Sequence, residues 1–125
     1  MKSLFFFTLF TISFAFVGIS QDASTTVKTL SVDEVKEGKN TGLFTFIYPD
    51  GIAADVVEDA SQYYVQYFTV QYDATTSTAI ISMITNDSMS RRIITRFLTA
   101  SGMQHVLVGE KLYDTQEFYN NFLAD

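Results

Sequence analysis

Four short runs rich in β-branched and aromatic residues constrain this chain most: LFTFIY at 43 to 48, YFTVQY at 67 to 72, TAIISMI at 78 to 84 and QHVLV at 104 to 108. Each alternates with period two or is apolar throughout, so each reads as a strand. Pro49-Asp50-Gly51 ends the first run, and Asp50 is placed to cap a helix from about Ile52 to Tyr64. In that helix Ile52, Val56, Ala60 and Tyr63 or Tyr64 recur at helical spacing, while Asp55, Glu58, Asp59 and Gln62 face water. The polar DATTS at 73 to 77 turns the second run back on the third as a hairpin. Asn86-Asp87-Ser88 then starts a second helix with Met89, Ile93 and Phe97, beside Ile94 and Leu98, as its apolar stripe up to Ser101-Gly102. After the fourth strand, DTQEFYNNFL has the Asp114-to-Glu117 spacing of a capping box and sets Phe118, Phe122 and Leu123 on one side of a terminal helix.

The order strand, helix, strand, strand, helix, strand predicts an α+β fold, a ferredoxin-like βαββαβ sandwich with an extra C-terminal helix, over residues 43 to 125. Its helices are expected on one face of a four-stranded antiparallel sheet. Residues 21 to 42 read as a flexible or irregular leader, because QDASTTVKT has no hydrophobic period. Within it, Ser31 stands three residues before Glu34 and is followed by Gly38, Asn40 and Gly42, so one helical turn fits the pattern, and so does a strand from Val27 to Val35.

Residues 1 to 20 read as a signal peptide: Met1-Lys2 is a minimal basic start, LFFFTLFTISFAFVGI is the apolar run, and Gly18-Ile19-Ser20 supplies small residues for cleavage before Gln21. The rival is a retained anchor, but the run of 16 residues is shorter than the roughly 20 that span a bilayer. The chain is therefore expected to be exported, periplasmic or extracellular, with no membrane span after cleavage. The full chain of 125 residues has a formal charge of −6, which becomes −7 without Lys2. Such a surface repels phosphate backbones, which argues against nucleic acid. Exported domains of this size often use disulfides, and this chain has no cysteine, so packing alone must hold it.

VVEDASQYYVQYFTV, with Val57-Glu58, Ala60, Tyr64, Tyr67 and Val70 at matching intervals, and IITRFLTASGMQHV resemble the helix-strand units of a heavy-metal-associated domain, the small module of copper chaperones and metal-pumping ATPases. The resemblance spans residues 43 to 108 and implies the ferredoxin-like fold. The family holds a soft metal with two cysteines three positions apart in the loop after the first strand. Counted back from Val57-Glu58, those positions fall on Asp50 and Ala53. A carboxylate and a methyl group do not bind Cu(I), which needs sulfur, so the resemblance carries the fold without the metal.

Methionine and histidine also ligate copper, and Met103 with His105 is the nearest such pair; Met83 and Met89 read as core filler. The single histidine and missing cysteine leave no nucleophile-base pair, and no Gly-rich phosphate loop or His-Glu-x-x-His occurs. Asp50, Asp55, Glu58 and Asp59 read as a solvated, dipole-favoured helix start, and Arg91, Arg92 and Arg96 as a solvated helix face. Phe44, Phe46 and Tyr48 could stack bases, but acidity and the export signal oppose that use.

The first strand is apolar on both faces and Tyr67 stands opposite the Phe68 face, so something should cover the second side of the sheet. The terminal helix is the first candidate; the segment 27 to 36 and another protein chain are the others. The expectation is an exported, non-enzymatic interaction module with no cofactor, whose partner is another protein or a second copy. Its contact loop is Tyr48, Pro49, Asp50, Gly51 and Ile52, because an exposed loop at a helix N-terminus can hold an anion or a partner's backbone. The alternative is a weak copper- or zinc-binding protein using Met103 and His105.

Overall fold

Capping side chains delimit three of the helices. Glu34 N–H donates to Ser31 Oγ (3.1 Å), Ser90 N–H to Asp87 Oδ1 (2.8 Å), and Glu117 N–H to Asp114 Oδ1 (2.7 Å), the last answered by Asp114 N–H to Glu117 Oε1 (3.0 Å). Each satisfies a donor that the first helical turn cannot pair internally. In the computed structural model, which describes residues 24 to 125, the elements run β1 (Thr26–Lys28), α1 (Val32–Thr41), β2 (Leu43–Ile47), α2 (Ala54–Gln62), β3 (Phe68–Asp73), β4 (Thr78–Met83), α3 (Ser88–Ala100), β5 (His105–Val108), β6 (Lys111–Asp114) and α4 (Thr115–Phe118), which continues into a π-helical turn, Tyr119–Leu123. The proposed signal segment lies outside the described residues.

The fold is α+β on a six-stranded mixed sheet of order β3-β4-β2-β1-β5-β6. All neighbours are antiparallel except β1 and β5, which pair Thr26 with His105, Val27 with Val106 and Lys28 with Leu107 in parallel. The expected four-stranded antiparallel sheet is thus corrected in two places. Short β1 is inserted between β2 and β5, and β6 is added outside β5.

Where an irregular leader is expected, the described part of 21 to 42 holds β1 and α1. Val27 is fully buried although its neighbours are polar, because two flanking strands and the helices enclose it. Three residues are too few for a periodic signal, and partners distant in sequence stabilise them instead. The helix α1 ends at Gly42, whose φ of +78° suits glycine, and its Gly38 lies so near the Phe44 ring that a Cβ there would come within 2.4 Å of Cε1.

One face of the sheet carries the core. Phe44, Phe46 and Tyr48 join Val27, Phe68, Ala79, Ile81, Val106 and Val108 beneath Val57 and Ala60 of α2, Ile94, Phe97 and Leu98 of α3, and Phe118, Phe122 and Leu123 of the terminal segment. All six phenylalanines beyond residue 20 are buried there. Phe46 meets Phe118 edge-on at 5.9 Å and Phe68 meets Phe97 at 5.9 Å, so each ring adds an oriented contact to the roughly 1.5–3 kcal/mol of its burial.

Two helical phases differ from expectation. The helix α2 starts at Ala54 with Ala53 as its N-cap and no side-chain cap, so Asp50 does not cap it. Gly51, at φ +93°, carries the chain through a turn first, and two more residues pass before the helix begins. Its buried residues are Val57 and Ala60, while Val56 and Tyr63 are exposed. Adjacent valines fit either stripe, and docking on β3 selects the second. In α3, Met89 is 78% exposed and Arg91 is 2% exposed, the reverse of the expected assignment. Arg91, Ile94 and Leu98 stand at helical spacing on one face, and the arginine has internal partners that solvent would otherwise supply.

Candidate functional site

Tyr48, the first residue of the expected contact loop, is committed to the interior. Its ring packs edge-on against Tyr72 at 5.7 Å, and its hydroxyl lies 2.7 Å from Ser101 Oγ. Ser101 Oγ also lies 3.0 Å from the carbonyls of Phe97 and Leu98, so a Tyr48 O–H donating to Ser101 leaves the serine proton for the helix. Burial pushes the Tyr48 phenol well above its usual range, only partly offset by the Ser101 bond. Ile52 packs on the core and Pro49 is half-buried, which leaves Asp50 and Gly51 as the part of 48 to 52 that faces solvent. Asp50 and Ala53, the positions where the resemblance would place thiols, lie in a turn and at a helix cap. That donor set does not fit a soft metal.

Met103 is a core side chain at 1% exposure, whereas His105 stands on β5, half-buried, with Nδ1 buried and without a hydrogen-bond partner. The structure therefore does not present the Met103 sulfur beside the imidazole at the surface. Among the described residues, no three His, Cys, Asp or Glu side chains group as metal ligands would.

Of the three arginines expected on a solvated face, Arg92 and Arg96 are exposed as expected, whereas Arg91 is internal. Arg91 Nε donates to Leu123 O (2.7 Å), one terminal nitrogen donates to Asn86 Oδ1 (2.7 Å) and the other pairs with Asp125. Lys39 Nζ donates to Ala124 O (2.7 Å), Asn86 Nδ2 donates to Lys39 O (2.7 Å), and the Arg92 guanidinium lies 4.3 Å from the Tyr119 ring centre. Two cations and an amide thereby tie the terminal turn to α1 and α3, with charge-assisted bonds replacing water on a buried guanidinium. The signal was in the sequence: Arg91 has the same phase as Ile94 and Leu98.

The terminal segment packs Phe118 and Phe122 into the same face as the other helices, with Tyr113 meeting Phe122 edge-on at 5.2 Å. It does not cover the second face, which corrects that expectation, and β1 enters the sheet instead of lying over it. The opposite face carries Leu43, Ile80, Leu112, Tyr67 and Ile84, exposed by 37–59%. Ile47 and Leu107 lie among them half-buried, with Thr45, Thr69 and Gln71 between. A shallow depression at its hairpin end is lined by Gln71, Asp73, Thr76, Thr78 and Ile80.

Charge divides the molecule as well. From Leu43 to Ile84 the chain has five carboxylates, Asp50, Asp55, Glu58, Asp59 and Asp73, and no lysine, arginine or histidine. The described span contains no helix long and apolar enough to cross a membrane. No family model, curated protein or solved structure matches this chain.

Proposed function

We propose that this chain is an exported, non-enzymatic interaction module with a ferredoxin-like sandwich, resembling a heavy-metal-associated domain without its cysteine pair, and that it works through contact with another protein. The succession β2, α2, β3, β4, α3, β5 supports the fold reading, with β1 slipped between β2 and β5 and β6 added at the edge. The uncovered sheet face supports the functional one. Exposed Leu43, Ile80, Ile84 and Leu112 on a single regular surface lose water contact when a partner docks, at about 25 cal/mol per Å² removed from solvent.

A photo-crosslinking residue at Ile80 should yield protein adducts in producing cells, and one at exposed Thr99 on the helix layer should not; equal yields at both would overturn this reading. The unpartnered Nδ1 of His105 favours a second, weaker reading, copper or zinc binding at that imidazole without the buried Met103 sulfur. Titration with Cu(I) and Zn(II) separates the two. Affinity tighter than about 1 μM that disappears in His105→Ala would establish the metal reading instead.

A further inference from the structure

The two ends of the sheet are built differently, and one of them is open to another strand. At one edge β6 has only four residues, begins with Lys111 and ends with Asp114. Short length and charge are the usual protection of an edge. At the other, β3 runs six residues as FTVQYD, with no proline and no lysine. Its pairing with β4 is unbroken from Phe68↔Met83 to Asp73↔Thr78, so no bulge twists it away.

The hydrogen-bond phase shows which groups are left over. Ile84 N–H donates to Tyr67 O (2.9 Å), so alternation along the register turns the backbone groups of Thr69, Gln71 and Asp73 toward β4 and those of Phe68, Val70 and Tyr72 off the edge. Phe68 N–H is taken by Tyr64 O (3.2 Å). Val70 and Tyr72 therefore present N–H and C=O groups outward, in the spacing that an added strand pairs with.

We propose that the free edge of β3 accepts an extended, lysine- or arginine-bearing segment of a partner protein as a seventh strand. The choice of occupant follows from charge. The helix that packs on β3 carries Asp55, Glu58 and Asp59, and the strand itself ends in Asp73, with no base between Leu43 and Ile84 to balance them. A second copy joined edge to edge would bring the same carboxylates against these, whereas a cationic strand neutralises them. Tyr63, 78% exposed where α2 ends, and half-exposed Tyr67 ahead of β3 add aromatic faces suited to ammonium or guanidinium groups. This inference rests on the interaction-module reading and names the partner's chemistry.

The test uses the full chain and a fluorescent octapeptide of alternating lysine and valine, compared with its glutamate-valine counterpart and with the lysine peptide methylated at every backbone amide. The lysine peptide should bind and slow hydrogen exchange at the Val70 and Tyr72 amides. The glutamate peptide should not bind, and full methylation should weaken binding about tenfold or more, as loss of a few strand hydrogen bonds requires. Val70→Pro, which removes one outward N–H at a position where an edge strand tolerates proline, should weaken it similarly. Absence of binding, equal binding of the methylated peptide, or protection elsewhere than β3 overturns the proposal. So does sedimentation as a dimer that Val70→Pro dissociates, because the occupant is then a second copy. If the peptide fails while Ile80 still crosslinks to a partner, the edge inference alone falls; if Ile80 and Thr99 also crosslink alike, the module reading falls with it.

Discussion

The span from Leu43 to Ile84 and the remainder of the described chain are held together by different physics. In the first, apolar alternation on β2, β3 and β4 meets one amphipathic helix, and every charged side chain faces outward. In the second, one cation is buried, Arg91 on the carbonyl of Leu123, while half-buried Lys39 binds the carbonyl of Ala124 and exposed Arg92 lies against the Tyr119 ring. All seven lysines and arginines of the described span lie outside the first region, and three of them make these contacts, so the first region carries carboxylates alone. An acidic protein of this kind is not evenly acidic, and its partners should meet the anionic end first.

The ring that joins the two regions should be the most costly to lose. Phe46 lies on β2 against Phe118 of α4, and Phe46→Ala should cost about 3–5 kcal/mol in urea unfolding. A cost near zero would mean that the regions do not share one core. Next comes the buried cation: Arg91→Met keeps the stem volume but strands the Leu123 carbonyl, for about 2–3 kcal/mol. Asp125 is largely exposed, so Asp125→Asn should cost less than about 1 kcal/mol.

A polar deletion in the other region should be milder. Tyr48→Phe removes the hydroxyl while Ser101 keeps its carbonyl acceptors, so about 1 kcal/mol is expected. If that cost equals the cost of Arg91→Met, the contrast between the regions is wrong.

The smallest effect is a pH dependence at Asp87. Hydrogen bonds from Ser90 hold its carboxyl below the ordinary range. A lowered folded-state value means that the cap's stability is fully present above the unfolded carboxylate range and is lost as pH falls through the folded value, below about pH 4. Asp87→Asn keeps an oxygen to accept the Ser90 bond but does not titrate, so its melting temperature should fall less between pH 5 and pH 3 than that of the parent.

Elements with local signals were legible in the chain itself. The strands β2 to β5, the caps at Asp87 and Asp114, and the turns at Gly42 and Gly51 follow from alternation, side-chain oxygens and backbone freedom within a few residues, whereas the Ser31-to-Glu34 spacing fitted a helical turn but left a strand over 27 to 35 equally open. The interior position of Tyr48 was not legible, because a tyrosine at a strand end before a Pro-Asp-Gly turn looks the same whether its hydroxyl meets water or Ser101, 53 positions away. The burial of Arg91 was half legible: its phase marked it as inward, but its charge argued outward until Leu123, Asn86 and Asp125 supplied partners.

Sequence alone therefore determined the α+β class, the helix boundaries set by caps, the acidic charge and the lack of any thiol. Tertiary structure decided the insertion of β1 between β2 and β5, the packing of the terminal turn beneath Arg91 rather than over the open face, and the choice of β3 as a free edge. The physical reason is range. Caps and periodicity act within a turn or two of the chain, whereas a three-residue strand, a buried cation and an unpaired edge are each specified by neighbours that only folding brings together.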